Sequence, residues 1–255
     1  MGLGGLKNIQ VIILGLCIAF ATIVSTAILS KGLMQIKKFS NEVIDVTGSA
    51  EKKIVSDYIV WKAQFSRRDP KMTVAFAALK NDLEKVKAYL LSRGIKEEEI
   101  IVSQVSTSIL YEKNEKGADT NEIEWYLLTQ GIEVRSHDVE KVNEVSRQST
   151  ELINEGISFI SEAPEYFYTK LVELKIQMLA EATQDAKKRA ETMAASTGNK
   201  IGLMRSARMG IFQITPVNSY EVSWYGNNDT SSLEKKVTAV VNVSFSIMEK
   251  GIYES

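Results

Sequence analysis

IVSDYIVWKAQFSRRDP, residues 54–70, is the stretch on which the fold turns. Ile59, Trp61, Ala63 and Phe65 are apolar at every second position, with Lys62, Gln64 and Ser66 between them. A period of two over this length predicts a strand, residues 54–67, with one face buried. Asp69-Pro70 then offers a cap and a proline for the first helical turn. Met72, Phe76, Leu79, Leu83, Val86 and Leu90 follow at alternating steps of four and three, the pattern of an amphipathic helix, which Gly94 closes as a C-cap. Strand and helix thus belong to one domain.

Working back from this stretch, residues 42–48 read as a short strand that ends in a turn at Gly48, preceded by a polar, basic connector over residues 31–41. Lys37 and Lys38 of that connector suit lipid headgroups. Residues 9–29 pass without one charge, and twenty-one residues of helix reach roughly 31 Å, against roughly 30 Å of bilayer hydrocarbon. The expectation is a membrane anchor over residues 1–30, meeting lipid through residues 9–29. The small residues Ser25-Thr26-Ala27 also suit a signal peptidase, so a cleaved signal is the alternative. The apolar run exceeds the usual 7 to 15 residues of a secretory signal and favours retention. Cys17, the single cysteine, reads as a small apolar side chain in lipid and excludes a disulfide framework.

After residue 38 the chain carries 27 basic and 32 acidic residues, a net charge of −5 without any basic block. Such a domain is a poor partner for nucleic acid, whose phosphates require clustered Lys and Arg. Glu97, Glu98 and Glu99 form a solvated corner and not a metal site, since no histidine or further acid stands near them in sequence to complete a shell.

Further along, alternation predicts a third strand with Ile101, Val105, Thr107, Ile109 and Tyr111 on one face. A hairpin connection over residues 112–122 and a fourth strand over 123–135 follow. Trp125 and Tyr126 put large apolar groups on both faces of the fourth strand, which marks it as internal or as a subunit contact. Residues 136–138 open a second helix, with Val139, Val142, Val145, Leu152 and Ile153 as its stripe. His137, the only histidine, reads as part of its cap and not as a base. A short strand spans 157–160, and a third helix spans 170–197, alanine-rich in its far half and so able to lie close on a sheet. Residues 201–214 read as a strand broken by Gly202 and Gly210, and 237–247 as the cleanest strand of all. Between these two, residues 217–232 form an irregular loop with Tyr220, Trp224 and Tyr225. Exposed aromatics are enriched at protein interfaces, so these three, with Trp125 and Tyr126, are the candidate contacts between copies of the chain.

Two Ser-x-x-Lys matches, Ser49 to Lys52 and Ser232 to Lys235, raise the alternative of an acyl-serine hydrolase acting in the periplasm. That chemistry needs serine at a helix start with lysine one turn on. The first match reads as a strand-edge turn and the second enters a strand. No phosphate loop, dinucleotide fingerprint or metal spacing accompanies them. The expectation is a non-enzymatic protein with no catalytic residues, cofactor or metal.

Several stretches together resemble the SIMPL-domain family of bacterial envelope proteins. They are Val46-Thr47-Gly48-Ser49-Ala50 with Asp57 beyond it, and Leu90-Leu91-Ser92-Arg93-Gly94-Ile95 leading into the strand that starts near Ile100. The helix core Asp185-Ala186-Lys187-Lys188-Arg189-Ala190, the turn Thr197-Gly198-Asn199-Lys200-Ile201-Gly202 and the closing strand at 237–245 complete the set. The resemblance spans about residues 42–248. It implies an α+β fold of two interwoven βαβ-type halves, with mixed or antiparallel sheets and three main helices after one N-terminal transmembrane helix. The domain would occupy 42–249, after a linker at 31–41 and before a tail at 250–255. It also implies export across the inner membrane and assembly of a ring-like homo-oligomer, in relatives described as immunogenic or oxidative-stress proteins, and it names no active site. The lysine count, Lys7 against Lys31, Lys37 and Lys38, alone would leave the domain in the cytoplasm. The resemblance outweighs that count and puts a single-pass chain in the bacterial inner membrane with its domain outside the cytoplasmic membrane. A monomeric tethered domain that captures another envelope protein carries the same sequence signs.

Overall fold

A computed structural model describes residues 3–219 and 221–248, with side chains described over 12–34 and from residue 42 onward within those ranges. Its helices and antiparallel strands make an α+β protein behind an N-terminal apolar helix. The chain divides into two compact units. One contains residues Met1–Ser49, Leu179–Gly210 and Val240–Ser255, and the other Ala50–Met178 and Ile211–Ala239.

The first unit begins with α1, Leu3–Asn41. Within it Ile12–Met34 is long and apolar enough to cross a membrane, with none of that window buried; a signal sequence meets the same criterion. The expected connector at 31–41 is a continuation of this helix. The unit further holds the first residues of β1 (Val43–Val55), the far half of α4 (Leu171–Ser196), β7 (Lys200–Met209) and the end of β9 (Glu234–Met248). The neighbour order is β1-β9-β7, and β7 runs antiparallel to β9 from Lys200↔Met248 to Met209↔Val241. Val46, Val241, Val243 and Phe245 turn to the dry side, with Ala182, Ala186, Ala190 and Ala194 buried on α4.

In the second unit β2, Tyr58–Asp69, is the axis. It pairs with β4 (Asp119–Ser136) on one side and with β5 (Ser158–Ser161) and β6 (Glu165–Phe167) on the other, while β3 (Ile100–Lys113) edges β4. Ile59, Trp61, Ala63 and Phe65 are buried as the alternation predicts, and Leu128, Ile132 and Val134 of β4 join them. The fourth strand is therefore internal. Each fully buried Ile, Leu, Val or Phe among them contributes about 1.5–3 kcal/mol relative to exposure. Trp61 keeps its polar edge satisfied, donating Nε1–H to Ser161 Oγ at 3.0 Å.

α2, Met72–Ser92, packs on this sheet by a stripe that keeps Leu79, Val86 and Leu90 of the expected one, with Leu83 partly buried, but not Met72 and Phe76. Ala75, Leu79, Asp82, Val86 and Leu90 are buried, while Met72 and Phe76 are 44% and 51% exposed. The reason is Asp82, fully buried and held by the Arg67 guanidinium, whose second nitrogen donates to Oδ1 at 2.7 Å. A paired carboxylate can occupy the dry stripe, and apolar periodicity cannot see it. The N-cap is Lys71, without a side-chain cap; Asp69 instead accepts from the Lys71 N–H at 2.8 Å. Gly94 does close the helix, at φ +81°.

α3, Val139–Gln148, starts at Asp138, whose Oδ1 accepts from the Lys141 N–H. His137 is outside that cap, with Nδ1 2.9 Å from the Asp57 carbonyl and its ring edge-on to Tyr58. The helix tightens into a 3-10 segment over Ser149–Glu155, leaving Ile153 half exposed. The hairpin between β3 and β4 is shorter than the 112–122 reading, because Asn114 Oδ1 accepts from the N–H groups of Lys116 and Ala118 and pinches the turn. The strand expected over 201–214 is two strands, β7 and β8 (Gln213–Pro216), both paired with β9.

Candidate functional site

β1 runs unbroken through Gly48, so the turn expected there does not exist. The glycine answers a different demand: a Cβ at this position would stand 2.1 Å from the Ala182 carbonyl oxygen and 2.4 Å from the Ala186 nitrogen, both backbone atoms of α4. Strand and helix approach too closely for any side chain. One residue on, the Ser49 N–H donates to Asp185 Oδ2 at 2.9 Å, and Arg189 Nε donates to the same oxygen at 2.8 Å. The Ser49 N–H, with help from Arg189 and against some desolvation, holds the Asp185 carboxyl below the usual range. Thr47-Gly48-Ser49 and Asp185-Ala186, which sequence places far apart, are a single packing joint.

A second joint lies at the turn between β1 and β2. Asp57 accepts from the Thr169 N–H and the Thr169 hydroxyl, each at 2.7 Å. Burial opposes ionisation of Asp57, but these two bonds and the nearby His137 outweigh it and lower its pKa.

Neither Ser-x-x-Lys match has the geometry of a nucleophile and its base. Ser49 and Lys52 are three residues apart on one strand and point to opposite faces, and Lys52 Nζ donates to Gln177 Oε1 at 3.0 Å. Lys235 is 3% exposed and donates to the carbonyl oxygens of Tyr166 and Asp229, each at 2.5 Å. Burial pushes its ammonium below the ordinary lysine value, with Asp229 opposing. It staples the base of the 217–232 loop. Glu97, Glu98 and Glu99 form a 3-10 turn in which Glu97 pairs with Lys87, Glu98 with Lys96, and Glu99 accepts from the Ser136 hydroxyl.

The aromatic loop is the unusual surface. Val222, Trp224 and Tyr225 are 81%, 92% and 95% exposed. Their backbone is nevertheless held hard. Gln213, largely buried on β8, donates Nε2–H to the Ser223 carbonyl at 2.8 Å, and its Oε1 accepts from the N–H groups of Ser223 and Asn227. Ile214 exchanges backbone bonds with Asn227 and Asp229, and Thr230 accepts from the Tyr166 N–H at 2.7 Å. The loop is thus a built support that carries two aromatic rings into water. Its other candidate, Tyr220, lies outside the described residues. Trp125 sits on β4 half buried beneath the Arg68 guanidinium, 5.4 Å from its ring centre, and Tyr126 packs against the core. Sequence reading missed Gln213; its only signal is an uncharged polar residue inside Ile211-Phe212-Gln213-Ile214.

Two clefts accompany these features, one in each unit. A polar cleft of about 370 Å³ lies over Asp45, Thr47, Ser206, Arg208, Asn242 and Ser244, whose hydroxyls and amide largely bond to each other. A groove of about 440 Å³ has Tyr58, Val60 and Phe167 as its apolar lining and Lys62, Glu133, Arg135 and Glu165 around it.

Comparison with known families gives one result over most of the chain. The SIMPL family model, described as a protein of unknown function (DUF541), matches residues 44–245. None of the curated proteins compared with the chain matches it. The matched span begins in β1 just ahead of Gly48 and ends in β9 at Phe245, so it contains both joints, the groove and the aromatic loop. The chain belongs to the SIMPL family.

Proposed function

We propose that this is a single-pass protein of a bacterial inner membrane whose SIMPL domain stands outside the cytoplasmic membrane and joins copies of itself into a ring-like homo-oligomer. The ring acts as a non-enzymatic scaffold on which other envelope proteins dock, in the setting of envelope or oxidative stress that the family resemblance suggests. The observation that carries this reading is the clamped loop with Val222, Trp224 and Tyr225 fully presented to water. Ordering a loop costs conformational entropy, and holding apolar rings in solvent gains nothing in an isolated chain. Both make sense when a partner covers them.

The mode of joining is argued by the strand edges. One end of each sheet is irregular: the pairing of β7 with β9 carries two register shifts and that of β3 with β4 three, while β1 and β5 form the opposite ends. Bulged edges resist strand addition, which favours contact through side chains. Anchors in one membrane would raise the local concentration of copies and strengthen weak contacts. Native mass measurement of the full chain in a membrane mimic tests the reading: multiples of the 28.4 kDa chain are expected, and a single chain throughout would leave a monomeric tethered domain in its place. The hydrolase alternative predicts an acyl-substrate turnover that Ser49→Ala abolishes; the geometry of Lys52 and Lys235 speaks against it.

A further inference from the structure

Resting on that self-assembly reading, we infer that the Trp224–Tyr225 tip of one copy inserts into the groove lined by Tyr58, Val60 and Phe167 of another. Size and polarity agree. The groove volume, about 440 Å³, is within the roughly 300–1,000 Å³ of clefts that enclose organic groups. Its apolar residues are only half buried although β2 lies inside its sheet, so the groove has apolar surface still to cover. The tip does not fill it within one chain, because Trp224 and Tyr225 are almost wholly exposed.

The rim supplies the polar half of the fit. Lys62 and Glu165 form a loose pair at 3.7 Å, each close to half exposed, and Arg135 pairs with Glu133. The rim is charge-balanced, and its carboxylates can accept the Trp224 indole N–H. Two aromatic side chains bury roughly 300–500 Å², about half of the ~800 Å² per partner in a standard interface. One contact alone is therefore weak, and each copy offers one tip and one groove. Contacts of this kind close into rings or run on as filaments.

The test uses the full chain in nanodiscs, with native mass as the readout. Trp224→Ala with Tyr225→Ala removes an exposed tip and is expected to leave folded chains at the single-chain mass of 28.4 kDa. Val60→Glu blocks the groove and is expected to do the same. Mixed before reconstitution, the two variants restore one good contact per pair, so a dimer and nothing larger is expected. As a check that survives a folding defect in Val60→Glu, Val60→Cys with Tyr225→Cys in a Cys17→Ser background is expected to give a ladder of chains on oxidation. A tip variant that assembles as fully as the wild type, or a cysteine pair that gives no ladder, overturns the tip-in-groove contact and leaves self-assembly standing. Quenching of Trp224 fluorescence by brominated lipid, absent in Trp224→Phe and without any ladder, overturns it in favour of the bilayer as the covering surface. A wild-type chain that is monomeric overturns the contact and the assembly reading together.

Discussion

Gly48 and Trp224 mark opposite uses of a residue. At Gly48 the space is so small that a single methyl would overlap the backbone of α4, whereas Trp224 has 92% of its surface in water. Around Gly48 stand the residues by which the sequence resembles its family, Thr47 to Ala50 and Asp185 to Ala190, and there they serve packing. Around Trp224 no recognisable pattern exists, yet a buried glutamine is committed to hold the loop. The recognisable stretches maintain the fold, and the two most exposed aromatic rings of the described residues stand elsewhere.

The contrast can be broken at each end. Gly48→Val forces a side chain against helix backbone and is expected to destabilise the chain by more than about 3 kcal/mol, or to prevent folding, in denaturant titration. A loss below about 1 kcal/mol would mean that strand and helix can separate freely. Gln213→Ala leaves the backbone groups of Ser223 and Asn227 without their partner. It should cost about 1–3 kcal/mol, with faster amide exchange confined to residues near 223–227 if the clamp acts locally.

Asp57 gives a smaller and pH-dependent effect. Its folded pKa is lowered from the ordinary 3.8, so its bonds to Thr169 stabilise the fold fully above that range and lose their contribution as pH falls through the lowered value. The site is partly open to solvent, which keeps the effect to about 1 kcal/mol or less. Asp57→Asn should flatten that part of the acid-denaturation curve and leave the curve unchanged near neutrality apart from a constant offset. The smallest effect belongs to the tip: Trp224→Ala should shift stability by no more than about 0.5 kcal/mol while lowering the assembled mass. A large loss of stability in the isolated chain would mean that Trp224 packs within its own chain.

How much of this was readable in the sequence depended on the range of the information. The apolar helix long enough to cross a membrane and the alternation of β2 are local patterns, and both are present. Gly48 was read as a turn because a glycine seen with its neighbours alone suggests one; its reason lies on α4, more than a hundred residues away. Along α2 the apolar period marks Leu79, Val86 and Leu90 but not Asp82, which looks solvated until Arg67 is beside it. β6, three residues long, is too short to show any period. Trp224 and Tyr225 were picked out by residue type, but the clamp that makes them informative required Gln213, an amide with no motif of its own.

Whether the clamped aromatic loop is covered by another copy is read from the native mass of the full chain in nanodiscs. A closed set of masses at whole multiples of 28.4 kDa is expected, collapsing to one chain when Trp224 and Tyr225 are both replaced by alanine. A wild-type protein that stays at 28.4 kDa across the accessible range of lipid-to-protein ratios would contradict that expectation.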